Sequence, residues 1–426
     1  MVKNTCVIYG PVDVYSGYSS HAREKCKAII ELRKDIWDIK IISCGWGGCP
    51  FGFLADNKEW KWMKEYILQG PLTYKPDYMF FITIPTEASP IGRWNCSINA
   101  GIETNICNGS WIESMNSIDM SWVSSNHSKD IYQSLSFDKV DKQGNKLGQL
   151  KLEKPIEVVF EGSLTEVYYP IQNANENVFN LSNIKEQFLF LFVGQWIGND
   201  IMNDRKKVGL LIKIFYETFK NIPNPPALIL KTSIGNSSYV SRDEILKRIL
   251  KIRKTVLSET LPNIYLLNGN ISDNDMNNLY NHPRIKSMVS LSCGEGFGKP
   301  LLEFSLVNKP IITTNWSGPL DFLDPSLTTL LPGELKQVHP SVVNQWILKE
   351  AQWFEVDLQA AHNALKDMFN NYKKNQYKLK ATKQGFKNRT TFSFDKMKEL
   401  IDKLLDKNIP VFETYQPLKL PKLVKL

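Results

Sequence analysis

GEGFGKPLLE, residues 294–303, sets two glutamates eight positions apart on a stretch with three glycines. The apolar run before it, KSMVSLS (286–292), reads as a central strand of a parallel sheet. The run after it, PLLEFSLVN (300–308), reads as a helix. Pro300 suits the first helical position, where its missing N–H costs nothing, and Asn308 can end the helix in the left-handed region. PIITTN (310–315) then gives another strand. Strand, glycine-rich turn, helix and strand make one βαβ unit, which implies a parallel sheet with helices on its faces.

The same rhythm extends both ways. Upstream come the strands FLFLFVGQ (188–195), ALILKTS (227–233) and NIYLLNG (263–269). Between them lie the helices KVGLLIKIFYETFKN (207–221), RDEILKRILKIRKTV (242–256) and SDNDMNNLYNH (272–282). An earlier series has strands at 5–10, 39–44, 78–85, 120–125 and 156–162, with a helix at 19–35. KQGNKLGQLKLEKP (142–155) is polar and irregular, and the Asn-rich segment 170–186 reads as a linker. The expectation is an α/β chain of two doubly wound, Rossmann-like domains facing across a cleft: 1–170, then 187–390. Residues 391–426 form a basic helix and tail crossing back to the first domain. The cleft is the expected ligand site.

With 426 residues the chain exceeds one ordinary core, and 42% hydrophobic with 23% charged residues excludes a disordered protein. No apolar run approaches the roughly 20 residues needed to span a bilayer. The N-terminus reads as strand then turn rather than as a leader. Seven scattered cysteines without a CxxC pair favour reduced thiols and a cytoplasmic setting. Cys44 and Cys49 read as a Gly-rich turn with two thiols rather than half of a metal site. The net charge of +8 is uneven: 361–426 holds 15 Lys and Arg against 6 Asp and Glu, while the rest is near neutral. That surplus is either a solvated helical face or a surface for a polyanion such as DNA or anionic lipid.

The glutamate pair has a chemistry. Glycines let backbone approach a ligand, and free N–H groups at a helix start suit a diphosphate. Glu303, one turn inside the helix, can accept both hydroxyls of a ribose diol. Glu295, on the loop, can accept sugar hydroxyls or favour positive charge developing on a sugar ring. A plain βα turn with acids near the helix start would account for either acid alone. The complete string of acid, spaced glycines, proline and acid is more specific.

The segment GEGFGKPLLEFSLVNKPIITTNWSG resembles the donor site of retaining glycosyltransferases of family four, which have the GT-B fold. VGQWIGNDRKKVGLLIKIF, with IMN inserted after Asp200, resembles that family's phosphate-binding segment, and NIYLLNGNISDNDMNNLYNH its nucleotide-facing one. The likeness covers most of 188–323. The N-terminal half is similar more loosely, through YSGYSSHAREKCKAI and GIETNICNGSWIESMNSIDMSWVSSNHSK, the latter a pattern of virus-encoded members.

The resemblance implies roles. Lys206 would hold the donor diphosphate, and Arg205 would replace an arginine the family often has where this chain has Gln195 and Trp196. Glu295 would contact the transferred sugar and Glu303 the ribose. Gly296, Phe297 and Gly298 would line sugar and phosphates, and Gly17 would admit the donor phosphate from the opposite lobe. Near the acceptor, Glu103 is the first choice, with His127, Glu87 and His21 as further candidates. The donor would be a nucleoside-diphosphate sugar, most simply a UDP-sugar, with no metal or other cofactor required. DND (273–275) reads as helix capping rather than a metal motif. KEWKWMKEY (58–66) reads as a helix tucking Trp and Met into the core rather than a stacking platform.

The expected activity is retaining, metal-independent transfer of a sugar to a hydroxyl. The favoured acceptor is a hydroxymethylated pyrimidine in viral DNA, bound through the basic C-terminal region, with the base flipped out of a duplex. The alternatives are a glycan, lipid-linked sugar or protein acceptor, and, in another class, a non-catalytic nucleotide-sugar binder or a sugar-nucleotide epimerase.

Overall fold

The computed structural model describes residues 3–140, 143, 145–198 and 200–413. Each half of the chain opens with a buried apolar strand feeding a helix. The first half runs β1 (Asn4–Gly10), α1 (Gly17–Arg33), β2 (Trp37–Ser43), α2 (Phe53–Asp56), β3 (Tyr78–Ile82), β4 (Trp94–Asn99), α3 (Gly109–Asn116), β5 (Met120–Val123), α4 (Asn126–Ser134), β6 (Phe137–Val140), β7 (Lys146–Leu150) and β8 (Ile156–Val158). The second runs β9 (Leu189–Val193), α5 (Val208–Phe219), β10 (Ala227–Lys231), α6 (Tyr239–Arg253), β11 (Ile264–Leu267), α7 (Asp273–Asn281), β12 (Ile285–Ser290), α8 (Lys299–Ser305), β13 (Ile311–Thr314), β14 (Thr329–Leu331), β15 (Gly333–Gln337), β16 (Gln352–Val356), α9 (Leu358–Asn371), α10 (Asn375–Thr391) and α11 (Phe394–Asn408).

Two six-stranded parallel sheets result, ordered β2-β1-β3-β4-β5-β8 and β11-β10-β9-β12-β13-β14. The order reverses between β1 and β3 in the first and between β9 and β12 in the second. At such a switch point the loops leaving adjacent strands diverge to opposite faces and open a crevice at the strands' carboxyl ends. The loops after β9 and β12 carry Arg205, Lys206 and Glu295, so topology alone brings those residues together.

Several elements depart from the expectation. WNCSIN forms β4, buried along its whole length. Its asparagines hide it from any apolar pattern: Asn95 accepts from Gly92 N at 2.7 Å and its own N–H donates to Asp119 at 2.8 Å, so this residue's polar groups are satisfied inside. The polar stretch 142–155 contributes β7, paired antiparallel with β6. A hairpin of β15 and β16 and the helices α9 and α10 lie in the stretch after β14. In KEWKWMKEY, Trp60 and Met63 are buried in the core.

The chain passes between the lobes twice. Beyond β8 it enters the second lobe through 159–188, and after α10 it returns at Ser393. The two passages are hydrogen-bonded: Ser163 N donates to Phe392 O at 2.9 Å and Phe394 N to Ser163 O at 2.8 Å. α11 then lies on α1, with Met397, Ile401, Leu404 and Leu405 in the first lobe's core. Arg33 pairs with both Asp402 and Asp406 at 2.7 Å. The basic tail's last residues, 414–426, fall outside the described residues.

Candidate active site

The quoted turn sits between the lobes. β12 ends in a polar, buried stretch, and the chain then turns through 294–298 into α8. Gly298, at φ +94°, is the helix cap, and Asn308, at φ +61°, takes the left-handed conformation after it. A Cβ at 294 would stand 2.0 Å from Glu103 O, and one at 296 would stand 2.0 Å from Ala100 O. The bareness of Gly294 and Gly296 thus admits the backbone after β4, from the opposite lobe, where a ligand was expected. Ser124 seals the contact, donating to Ala100 O at 2.6 Å or to Gly296 O at 3.2 Å. The Phe297 ring is 2% exposed and packs against Phe322 and Phe392, so only its backbone is available to a cleft.

Glu295 is the centre of a charge cluster. Lys206 Nζ lies 2.6 Å from its Oε2, and Arg205 Nη1 lies 3.2 Å from the same oxygen. Arg205 also donates to Gly294 O at 2.9 Å and stands 3.5 Å from Glu103 Oε1 across the cleft. Ser317 Oγ accepts from Glu295 N at 2.9 Å. Burial raises the Glu295 pKa, but Lys206 and Arg205 outweigh burial and hold it at about 2. Burial lowers the Arg205 pKa, and Glu103 and Glu295 more than reverse that. The result is a fixed carboxylate beside two cations, a shape that a diphosphate sugar matches once its phosphates take over the cations.

The neighbour of Lys206 explains how the pair is presented. Lys207 caps α5 at φ +49°, a left-handed conformation uncommon for lysine. Its ammonium is held 2.8 Å from Glu355 Oε1 of β16. The β15–β16 hairpin therefore braces the segment that carries Lys206. It also reaches the first lobe, where Gln352 N donates to Asn105 Oδ1 at 2.7 Å.

Glu303 occupies a second, more acidic zone. Burial pushes its pKa well up; Lys299 opposes this, while Asp273, Glu24 and Glu161 add to it. Nearby His21 Nδ1 is 3.3 Å from Glu161 Oε1, and burial pushes the imidazole pKa down. Lys25, its pKa lowered to about 7 by burial, donates to Val159 O at 2.9 Å and Phe160 O at 2.6 Å.

On the facing lobe, α1 starts behind the cap Ser16, which accepts from Ser19 N at 3.0 Å. Gly17 is exposed, and a Cβ there would meet nothing within 4 Å. Tyr18 stacks on Trp46 with ring centroids 3.8 Å apart. Trp46 belongs to the Gly-rich 44–52 loop, whose Cys49 Sγ lies 3.4 Å from Gly235 O, so this loop roofs the cleft.

The structure brings Glu295, Lys206, Arg205 and Glu103 into one cluster. His127, at the start of α4, lies 4.9 Å from Trp316 of the second lobe, ring to ring; burial lowers its pKa to about 4. Glu87 is exposed on the turn after β3, apart from that cluster's ion pairs. In the DND stretch, Ser272 caps α7 by accepting from Asp275 N at 3.1 Å, and Asn274 donates to Glu59 of the first lobe at 2.9 Å. Three interlobe residues, Glu24, Lys299 and Glu161, were not singled out beforehand. Lys299 stands inside the quoted turn, four positions before Glu303, which is the one sequence signal available.

No protein-family model matches this chain, and no curated protein matches its sequence. Solved structures do. Sucrose-phosphate synthase from Thermosynechococcus elongatus superposes at TM-score 0.62 with 12% identity, over 95% of this chain and 99% of that one. A glycosyltransferase from Rickettsia africae gives 0.61 with 15% identity, over 96% and 100%. HepE from Anabaena, solved with UDP and glucose, gives 0.59 with 13% identity, over 95% and 99%. This chain has the GT-B fold of these glycosyltransferases.

Proposed function

We propose that this chain is a glycosyltransferase that moves a sugar from a nucleoside-diphosphate sugar to a hydroxyl, with retention at the anomeric carbon and without a metal. The observation that carries the reading is the Glu295–Lys206–Arg205 cluster at the carboxyl-end crevice of the second sheet, facing Glu103 of the first lobe. Lys206 and Arg205 neutralise the diphosphate as it leaves, the role of preorganised cations in such transfers. Glu295 orients the sugar, and its charge favours the oxocarbenium-like state. The start of α1 at Gly17 offers N–H groups and open space to the phosphates. Glu303 accepts ribose hydroxyls. The acceptor hydroxyl attacks the face the diphosphate leaves, and a departing phosphate oxygen takes its proton. Glu103 and His127 stand nearest that approach.

The neighbour HepE was solved with UDP, which makes a UDP-sugar the first donor to try. For the acceptor, the favoured reading is a hydroxymethylated base in DNA, with the basic surplus on the exposed lysines of α10 as its electrostatic footing.

The test is incubation with labelled UDP-, GDP- and ADP-sugars, alone and with hydroxymethylated or plain DNA. The expected result is slow donor hydrolysis, abolished by Glu295→Gln, and label on hydroxymethylated DNA alone. Absence of label on either DNA removes that acceptor; absence of both binding and hydrolysis of every donor removes the transferase reading. Epimerised free donor without transfer would assign an epimerase instead.

A further inference from the structure

One buried ion pair joins α1 of the first lobe to α8 of the second. The Lys299 ammonium sits on the Glu24 carboxylate, with the side chains 10% and 4% exposed. Burying two opposite charges costs desolvation that apolar residues of similar size avoid, so simple adhesion between lobes is a weak reason for such a pair. Its surroundings supply a stronger one. Lys299 and Glu303 are four apart on α8 and share a face. Glu24, Glu303 and Glu161 all act on the Lys299 charge, and Asp273 of α7 joins Glu24 and Glu161 as the third acid acting on Glu303. Tyr168 and Tyr280 complete the zone, burial and then the Glu303 charge raising both phenol pKa values. Among the described residues, Glu24 Oε2 is buried without a hydrogen-bond partner, and the side chain's hydrogen bond to the second lobe is the one from Lys299.

We propose that Lys299 and Glu24 are positioning residues for Glu303: the interlobe pair anchors the first turn of α8, one turn before that acid, and makes its grip on a ribose depend on closed lobes. The inference rests on the donor reading above. Without Lys299, the turn of α8 that carries Glu303 loses its tie to α1, and the acid loses its fixed place against a ribose. Without Glu24, Lys299 loses its anchor on the first lobe, and the closed arrangement loses its buried electrostatic link.

The experiment compares binding of uridine diphosphate and its 2′,3′-dideoxy analogue by calorimetry, and small-angle scattering of the unliganded protein. The wild type, Lys299→Met, Lys299→Arg and Glu24→Gln are measured, with circular dichroism as the folding control. The expected result is that Lys299→Met and Glu24→Gln bind uridine diphosphate about tenfold more weakly, the scale of one lost hydrogen bond to a charged group. The dideoxy analogue, which has no diol, binds all four proteins alike. Lys299→Arg keeps the wild-type ratio, and the two charge-removing variants scatter as more extended particles. A merely structural role would weaken both ligands equally, and that result, or an unchanged ratio, overturns the proposal. Should Lys299→Met fail to fold, Glu24→Gln carries the same comparison. A wild type that binds no nucleoside diphosphate defeats the donor reading itself; a wild type that binds, with a ratio unmoved in the variants, defeats this inference alone.

Discussion

Glu295 and Glu303 come from one ten-residue stretch, yet their surroundings are opposite. Glu295 meets two cations and stays ionised far below the usual carboxylate range. Glu303 meets one cation and three acids, and its pKa is driven up. The difference follows from topology: the loop after β12 faces the loop after β9, which carries Arg205 and Lys206, while α8 faces α1 and α7, which carry Glu24 and Asp273. On the proposed reading, one end of the crevice takes phosphate and a developing positive sugar ring, the other neutral hydroxyls.

The comparison breaks most visibly at its cationic end. Lys206→Met should cut donor turnover by roughly 10²–10³-fold, the scale of removing one preorganised charge from a developing anion. Steady-state hydrolysis of a labelled UDP-sugar checks it; an unchanged kcat would place the diphosphate elsewhere. A second break is steric. Gly296→Ala puts a methyl 2.0 Å from Ala100 O, a contact of backbone on backbone. It should lower stability by about 1–3 kcal/mol, as overpacking does, measured by denaturant midpoint.

Acid titration sharpens the contrast. Because the folded Glu295 pKa, about 2, lies below the ordinary value of roughly 4.3, its contribution to stability is full above that ordinary value. It is lost as pH falls toward 2. Glu295→Gln should flatten this part of the stability–pH curve. Lys25 works in the other direction of pH. Its folded value of about 7 lies below the ordinary 10.4, so the unfolded chain binds more protons between them and stability should rise with pH across that window. Lys25→Met removes that slope in thermal unfolding. The smallest effect belongs to Gly17→Ala: with open space at that site, Tm should barely move while donor affinity falls a few-fold.

Much of the second lobe was legible because its strands are continuous apolar runs and its turns carry glycine and proline. The first lobe was harder. β4 is half asparagine and serine, and its burial depends on partners such as Asp119 that no local pattern reveals. The cationic end of the site could be anticipated from Lys206 and Glu295, since each stands in a recognisable segment. Glu24 could not. α1 spells HAREKCKAIIELR, with charge on every face, and only the docking of α8, the 159–161 strand exit and α11 decides which charges are inside. The same limit applied to the glycines at 294 and 296. A bare turn announces close approach, and whether backbone or ligand approaches is settled by the other lobe.

The paired passages at Ser163 and Ser393 make the connection between lobes two-ply, with each ply stitched to the other by reciprocal amide bonds. A two-ply hinge resists twisting and leaves swinging about a single axis as the soft motion. It also means that a cut near residue 390 would do more than trim a terminus. It would strip the outer layer from the first lobe and unstitch the pivot in the same event.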